Sequence, residues 1–539
     1  MSDFDYIVVG AGGAGCVVAN RLSEDPSVRV LLIEYGGRGR NPVLRVPKGF
    51  FFTMRGERYC YQYPTRPVGH GGQIETWTRG KVLGGSTAIN GMMYVRGAAA
   101  DYDAMVARGN PGWGWADMLP VFRAMEDHAL GASAQRGVGG PLGISVTEHD
   151  DTLSAAILDA AQQQGWRYTP DYNLDDDERI GFTPATIRRG VRVSSAGAFL
   201  RPAARRPNLT IRTGTRVGYL LLSGARVVGV RAGSGSTYRD YTVAREVIVS
   251  AGTIESTLLL ERSGIGRAEV LAAAGVEPVV DSPNLGERVV EQRGVGVQVA
   301  LNQRIGPTER LNTIPKQGVE GMRYLLTRRG PIATAGYDLV CAFRSSPEVD
   351  RPDVQGIWVP MAIDTSTAHM RLADHSGVMF VGYQVRPGTR SSVHISGTLP
   401  ENAPVIDAHF LETGEDRAVT STILGTVREV FARSPLADLV RDEEVPGAAV
   451  STPDEVVRYA LDTGAGLYHA VGSAAMGPGA DDVVDAQLRV RGVDGLRIVD
   501  ASVFAEQPAG NTAAPTMALA WRAADLIRDP SGERRGPSG

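Results

Sequence analysis

The glycines near the N-terminus have a spacing that could bind a phosphate group. Gly10, Gly12 and Gly15 form the pattern G-x-G-x-x-G, in which the glycines permit a tight turn, a close approach to pyrophosphate and helix packing. Glu34 follows at the end of the next apolar run, where a carboxylate can accept hydrogen bonds from ribose hydroxyls. The pattern predicts a dinucleotide site without distinguishing FAD from NAD; the alternative is a tight turn without a ligand. The residues assigned to this site are Gly10, Gly12, Gly13, Ala14, Gly15 and Glu34.

The elements around this loop must be a strand, a helix and a second strand. "DYIVVG" is β-branched, "AGGAGCVVANRLSED" has helical spacing of small and apolar residues, and "VRVLLIE" is a second buried strand. Such a unit places the helix N-terminus, with its free N–H groups, against the phosphates. Residues 35–80, rich in Gly, Pro and aromatic residues, are predicted to be irregular.

The whole chain is that of an ordinary globular protein. Its 539 residues exceed the usual size of one core, so two domains are expected. The net charge of -4 and the pI near 6.1 disfavour nucleic acid as a partner. No apolar run of about 18 residues is present, so membrane insertion is not expected. Three scattered cysteines favour a reducing cytoplasm, and no cluster has metal-ligand spacing, so no metal is predicted.

Further elements are predicted downstream. Residues 209–249 favour strands joined by tight turns, and "TIESTLLLERSGIG" favours a helix ended by Gly264. Alternating strands between about 294 and 396, "SSVHIS" among them, predict an antiparallel sheet with one open face. Two helices, a buried strand "LRIVDASVF" and a last helix "NTAAPTMALAWRAADLIRD" follow.

Four separated motifs resemble the glucose-methanol-choline (GMC) oxidoreductases. "RGKVLGGSTAINGMMYVRG" is similar to the first signature of the family and "SAGTIESTLLLERSGIG" to the second. "YHAVGSAAMG" and "GNTAAPTMALAWRAADLI" match its C-terminal motifs in kind and order. The resemblance implies an α/β fold, with a doubly wound, Rossmann-like FAD-binding domain and an α+β substrate domain on an antiparallel sheet. It assigns the FAD-binding domain to 1–150 (flavin loop 79–97), 190–290 and 461–530, the substrate domain to 291–460 with parts of 150–190, and 531–539 to a polar tail.

The resemblance also implies residues that bind FAD. Small residues and backbone N–H groups of "LGGSTAING" can approach a flat ring and phosphates. Ile89 stands where some members attach the flavin through a histidine, so the FAD is expected to be non-covalent. The chain departs from the family pattern at Thr257, usually proline, and at Arg288, Glu291 and Gln292, usually Asn, Asp and His. The further FAD-binding residues are Val82, Gly85, Ser86, Asn90, Gly91, Met93, Val217, Asp500, Ala501 and Thr512.

The family places two polar side chains at the reactive edge of the flavin, and here they are His469 and Asn511. Imidazole, with an ordinary pKa near 6.5, can take the proton of an alcohol while flavin N5 takes the hydride. Asn511 cannot act as a base, but it can orient the substrate oxygen or cap the last helix. The alternative for His469 is a structural histidine bonded to a carbonyl group.

The remaining histidines carry weaker expectations. His394 faces either the substrate or the core, and His128 and His149 are expected at the surface. The function implied is oxidation of a small primary alcohol, with benzylic and furanic alcohols considered, by oxygen or another acceptor. The alternatives are a hydroxynitrile-lyase-like enzyme on the same scaffold, a redox-inactive flavin protein and a nicotinamide dehydrogenase. The sequence leaves the particular alcohol and the oligomeric state open.

Overall fold

The computed structural model describes residues 2–147, 151–234, 237–364 and 371–529. The expectations for His149 and for the polar tail 531–539 lie outside these residues. The helices are α1 Gly13–Leu22, α2 Phe50–Thr53, α3 Ala99–Ala107, α4 Trp115–Met125, α5 Thr152–Gln163, α6 Arg201–Ala203, α7 Gly252–Arg262, α8 Ala268–Ala273, α9 Gly306–Leu311, α10 Ile314–Thr327, α11 Gly414–Phe431, α12 Pro453–Thr463 and α13 Ala513–Arg528.

The strands are mostly short. They are β1 Phe4–Val9, β2 Val30–Glu34, β3 Cys60–Pro64, β4 Thr76–Gly80, β5 Glu126–His128, β6 Leu142–Val146, β7 Arg167–Tyr168, β8 Arg179–Phe182, β9 Pro184–Ala185, β10 Ile187–Arg188, β11 Val191–Arg192, β12 Leu209–Thr213, β13 Arg216–Ser223, β14 Arg226–Ser234, β15 Thr237–Val249, β16 Ile265–Gly266, β17 Val280–Asp281, β18 Arg293–Leu301, β19 Leu339–Phe343, β20 Val354–Val359, β21 Gly377–Gln384, β22 Ser392–His394, β23 Val405–Asp407, β24 Val440–Val445, β25 Ala465–Gly466 and β26 Leu496–Ile498.

The first sheet, named the dinucleotide sheet, has the strand order β12-β2-β1-β15-β14-β13, with β26 beside β15. Strands β12, β2, β1, β15 and β26 are parallel, and β13 and β14 continue antiparallel from β15. The β2 and β26 strands are buried throughout, and helices α1 and α13 pack against each other beside this sheet. The strand, helix and second strand predicted around the glycine loop lie at β1, α1 and β2.

The third glycine of the loop is needed for close packing. A Cβ atom at Gly15 would lie 1.9 Å from the carbonyl oxygen of Gly10. Gly10 itself has φ +93°, which an L-residue with a side chain adopts only with strain. The turn between β1 and α1 is therefore closed tightly enough to exclude side chains at both positions.

The second sheet, named the covering sheet, has the order β24-β18-β21-β20-β19-β8-β7, with β25 beside β18. Its long pairs are antiparallel, as predicted, and α11 and α12 pack on it. The expectation of an open face is wrong, because β19 and β20 are buried on both sides. Val340 and Ile357 of their second face pack against Met93 and Val95 near the end of the flavin loop 79–97.

Two further predictions differ from the structure. "SSVHIS" does not join the covering sheet: β22 pairs with β23 in a separate two-stranded sheet. Residues 35–80 are not wholly irregular, since β3 and β4 form an antiparallel hairpin. Its strands pair only with each other, and Tyr61 stacks on Tyr63 with ring centroids 5.1 Å apart. Such a short, aromatic, isolated hairpin produces no long alternating pattern in the sequence.

Candidate active site

One long cavity runs from the glycine loop to His469. It is lined by residues from both ends of the chain, and the N-termini of α1, α7 and α13 open onto it. Neither α1 nor α13 has a side-chain cap, so their first N–H groups remain available to an anion or a polar edge, whereas the first N–H of α7, at Gly252, donates to Asp500. All the residues predicted to bind the cofactor or substrate line this cavity except Gly15 and Val82.

The phosphate end of the cavity is built from backbone. Gly12, Gly13 and Ala14 at the start of α1 line it, and the first signature contributes Gly85 and Ser86. A Cβ atom at Gly85 would lie 2.7 Å from the Cα atom of Gly12, so the two loops are in direct contact. Two adjacent glycine loops and a helix N-terminus form the kind of cradle that a pyrophosphate requires.

Glu34 lies beside this cradle with its carboxylate already fixed. Oε2 accepts a hydrogen bond from Ala11 N at 2.8 Å, and Oε1 accepts one from Gly36 N at 2.7 Å. Burial raises the pKa of Glu34 to about 7, although both N–H groups act to lower it. Each oxygen keeps a further lone pair, which is what ribose hydroxyl donors would use.

Asp500 lines the cavity, but its carboxylate holds the scaffold together. Oδ2 accepts hydrogen bonds from Gly252 N at 2.8 Å and from Ser256 Oγ at 2.6 Å, both at the start of α7. Oδ1 accepts two more from the backbone and hydroxyl of Ser502. With four donors the carboxylate is fully used, so Asp500 can present only its backbone and Cβ to a cofactor.

His469 lies in a hydrogen-bonded chain that fixes its tautomer. Its Nδ1 lies 2.7 Å from Oε1 of Gln292, whose Nε2 donates to the carbonyl of Val385 at 2.9 Å. The amide oxygen of Gln292 is therefore an acceptor, and Nδ1 must carry the proton. On the other side, Asn511 Nδ2 lies 3.0 Å from His469 Nε2, and Gln355 Nε2 donates to Asn511 Oδ1 at 3.1 Å. These contacts leave Nε2 unprotonated, as an acceptor facing the cavity.

The imidazole of His469 is held neutral. Burial lowers its pKa to about 3, and the positive charge of Arg79 acts in the same direction. Both oxygens of Glu291 accept backbone N–H groups, from His469 and from Ala470, each at 2.9 Å. Tyr468, directly before the histidine, has φ +66°, and such strain is common at functional sites. The segment is therefore held firmly in an unfavourable local conformation.

From the sequence, Gln292 and Glu291 were predicted only to be departures from the family pattern. In the structure both hold the histidine segment, one through the ring and one through the backbone. Gln355 was not predicted at all; it approaches because Gly510, at φ +97°, leaves room where a Cβ atom would lie 2.2 Å from Oε1 of Gln355. The only signal in the sequence for Glu291, Gln292 and Gln355 was that polar residues stand in segments that are otherwise apolar.

Asn511 contributes its side chain to the site and not to the helix. The residue before α13 is Thr512, and no side chain caps that helix. The capping role considered for Asn511 is therefore not observed, because its amide is committed to His469 and Gln355.

The other histidines lie elsewhere. His394 Nδ1 contacts Glu261 at 2.7 Å and Nε2 contacts Glu287 at 3.3 Å, so the imidazole lies between two carboxylates and does not line the cavity. The surface position expected for His128 is wrong: it is buried, and burial lowers its pKa to about 4. Its polar neighbours in the sequence form the short strand β5, which pairs with β6.

The carboxylates that line the described cavity are Glu34, Glu255 and Asp500. Glu255 accepts a hydrogen bond from Tyr63 at 2.7 Å and forms ion pairs with Arg216 and Arg262. Like the other two carboxylates, it already has its own partners. Leu467 and Tyr468 line the cavity directly before His469 in the sequence, and the lining also includes the aromatic or apolar side chains of Ile89, Met92 and Tyr337.

The residues present fit FAD. Uncapped helix N-termini, the paired glycine loops and the hydroxyl of Ser250, a buried group without a partner among the described residues, all face one cavity. Within the described residues no group of His, Cys, Asp and Glu is arranged to hold a metal, and no helix has the length and hydropathy to cross a bilayer.

Comparison with known proteins gives a consistent result. The sequence model described as GMC oxidoreductase matches residues 4–293, and its C-terminal counterpart matches residues 387–520. The chain is 35% identical to the oxygen-dependent choline dehydrogenase of Brucella anthropi, over 97% of this chain and 95% of that protein.

Solved structures agree over the whole chain. Pyridoxine 4-oxidase from Mesorbium loti superposes with a TM-score of 0.88 and 30% identity, covering 98% of this chain and 99% of that one. A formate oxidase superposes with a TM-score of 0.90 and 26% sequence identity, covering 98% of each chain. These similarities confirm the predicted fold class, a Rossmann-like FAD-binding domain with a substrate domain.

The tautomer of His469 can be measured by NMR with ¹⁵N-labelled histidine. Because its pKa is about 3, the ring should stay neutral and protonated on Nδ1 alone between pH 8 and 5, where an ordinary histidine becomes charged. Gln292→Leu removes the acceptor for Nδ1–H, which is worth about 1 kcal/mol, so the Nδ1–H preference should fall by about fivefold.

The matched control is Gln298→Leu, which removes another buried glutamine, on β18, that bonds Ile363 and Glu444 instead of the histidine. The His469 signals should be unchanged in this variant. A wild-type His469 protonated on both nitrogens at pH 6 would contradict the geometry.

Proposed function

The chain belongs to the GMC oxidoreductase family and is an FAD-dependent enzyme that oxidises alcohols, and we propose that its substrate is a small, uncharged primary alcohol. The alcohol is oxidised to the aldehyde, with His469 as the base. The observation that carries the proposal is the neutral imidazole of His469, whose unprotonated Nε2 faces the cavity next to Asn511. The electron acceptor is oxygen or another oxidant.

The proposed base acts through Nε2. The alcohol hydroxyl donates its proton to this nitrogen, and the amide of Asn511, which now bonds Nε2 at 3.0 Å, donates to the alcohol oxygen. Bound FAD supplies the acceptor for the hydride that leaves the alcohol carbon. The side-chain amide oxygen of Gln292, Oε1, keeps its bond to Nδ1–H and faces the positive charge that the ring gains.

The low pKa of His469 affects when the proton leaves the alcohol relative to the hydride. An imidazole with a pKa of about 3 is always available in its basic form near neutral pH, but it binds a proton weakly. It therefore cannot hold the alcohol proton for long before the C–H bond breaks. We expect the proton and the hydride to leave the substrate together.

The lining of the cavity supports an uncharged substrate. The Brucella anthropi relative is named for choline, a quaternary ammonium ion. Such a cation is best stabilised by a free carboxylate together with aromatic faces, and the carboxylates that line the described cavity already have partners. Arg79, which also lines the cavity, pairs with Glu291 at 3.6 Å, so that buried carboxylate has a partner as well. Aromatic and apolar neighbours of His469 suit a benzylic or furanic alcohol better.

The substrate class can be tested by anaerobic reduction of the bound flavin. Benzyl alcohol and 5-hydroxymethylfurfural should bleach the oxidised flavin spectrum, with the aldehyde as product. Choline should be poorer by about a hundredfold in kcat/KM, because an uncompensated buried charge costs about 3 kcal/mol. Choline as the fastest substrate would overturn the proposed class, and flavin that no alcohol reduces would overturn alcohol oxidation itself.

The role of His469 can be tested by His469→Ala. The variant should keep FAD but reduce it more slowly by about 10²–10⁴-fold in the anaerobic reaction with alcohol. Asn511→Ala should have a smaller effect, since its amide orients the oxygen and does not take the proton. His409→Ala, at a histidine with an exposed side chain, serves as the control and should behave as wild type. An FAD-loaded His469→Ala protein with the wild-type rate would leave His469 as a structural residue.

We also propose that FAD is bound without a covalent bond. Ile89 lines the cavity at the position where some family members carry the attaching histidine, and its side chain has no nucleophile. Precipitation with trichloroacetic acid should therefore release the yellow cofactor into the supernatant. Colour that remains with the washed pellet would show a covalent bond formed elsewhere.

A further inference from the structure

Helix α10 exposes its apolar side and buries its polar side. Ile314 is 83% exposed, Leu326 77% and Val319 68%, while Glu320 and Tyr324 are buried. A surface helix of a globular protein normally has the opposite arrangement. This helix of 14 residues therefore does not owe its apolar pattern to the core of its own chain.

The exposed side chains form one continuous face. At about 100° per residue, the apolar residues fall within an arc of about 140° on one side of the helix. We call this surface the α10 face. Its members are Ile314, Val319, Met322, Leu325 and Leu326, each more than half exposed.

The opposite side of the helix is anchored by polar contacts. Glu320 accepts hydrogen bonds from Arg310 at the end of α9, the nearer at 2.5 Å. Tyr324 donates its hydroxyl to the carbonyl oxygen of Gly190 at 3.0 Å. These contacts fix the orientation of the helix on the protein, so the apolar face cannot be turned inward.

The surroundings of the α10 face are positively charged. Residues 304–329 carry six basic and two acidic side chains, although the whole chain has a net charge of -4. Both acids are already paired, Glu309 with Lys316 and Glu320 with Arg310. The basic residues are Arg304, Arg310, Lys316, Arg323, Arg328 and Arg329.

We infer that α10 docks on an anionic phospholipid surface, with its apolar side chains in the boundary between headgroups and acyl chains and its arginines among the phosphates. An exposed apolar arc flanked by Lys and Arg is the pattern of helices that lie in a membrane interface. Among the residues that the structure describes, no helix is long and apolar enough to cross a membrane, and docking of this kind needs none.

A second copy of the chain is a poorer occupant of the same face. Two α10 faces related by a two-fold axis would bring the same arginine-rich rims together. Like charges would then oppose association, whereas an anionic lipid surface attracts the basic residues that lie near it, with about 1 kcal/mol for each.

The inference can be tested by sedimentation of the FAD-loaded enzyme with vesicles. The protein should sediment with vesicles containing about one-third phosphatidylglycerol, much less with pure phosphatidylcholine, and less as salt is raised. Leu326→Glu should weaken partitioning by at least about tenfold, since it removes a leucine from the apolar phase. Arg323→Gln with Arg329→Gln should weaken binding only to the anionic vesicles.

The matched control is Leu399→Glu, which makes the same change at a leucine that is 55% exposed outside the α10 face. It should bind vesicles as wild type does. All variants should keep their FAD and alcohol turnover, since none of the changed residues lines the cavity. Wild-type protein that stays in the supernatant with anionic vesicles would overturn the inference. So would a dimer that Leu326→Glu converts to monomer, because it would assign the face to a second copy.

Discussion

The hydrogen-bonded chain through His469 is the interaction on which the site depends. It begins at the carbonyl of Val385, passes through Gln292 and the imidazole to Asn511, and ends at Gln355. Gln355 and Val385 belong to or follow strands of the covering sheet, whereas His469 and Asn511 come from the C-terminal segment that returns to the dinucleotide sheet. The same series of hydrogen bonds therefore fixes the tautomer of His469 and holds the two halves of the molecule in register across the cavity.

Such a series of hydrogen bonds is stable because each member has a partner on both sides. A buried polar group without a partner costs about 1–3 kcal/mol, so each amide in the series is held in one orientation by its neighbours. The surroundings that lower the pKa of His469 to about 3 also keep its Nε2 free to accept. Burial by itself would make a base weak; combined with a fixed acceptor at Nδ1 and a fixed donor at Nε2, it produces one that is always in the reactive form.

Other buried polar groups hold helices and strands in place. Asp500 connects the last strand to the start of α7, and the buried ion pair between Arg96 and Glu126 connects the end of the flavin loop 79–97 to β5. Helix α10 differs from these elements, because its buried side carries hydrogen-bonded polar residues and its exposed side, the α10 face, carries apolar residues. A surface of that composition is accounted for by a partner that is itself apolar and anionic.

The sequence by itself determined the parts of the protein that depend on local order. The glycine loop, α1, β2 and Glu34 are neighbours along the chain, so spacing alone identified the cofactor end, and four ordered motifs identified the family. What only the tertiary structure decided are contacts between distant residues: the pairing of Gln292 and Gln355 with the His469 segment, the buried position of His128, the burial of both faces of β19 and β20, and the departure of β22 from the covering sheet. The physical reason is that a side chain's burial and hydrogen-bond partner are set by whatever packs against it. For His469 those groups lie 177 residues away at Gln292 and 42 residues away at Asn511, and no local pattern records them.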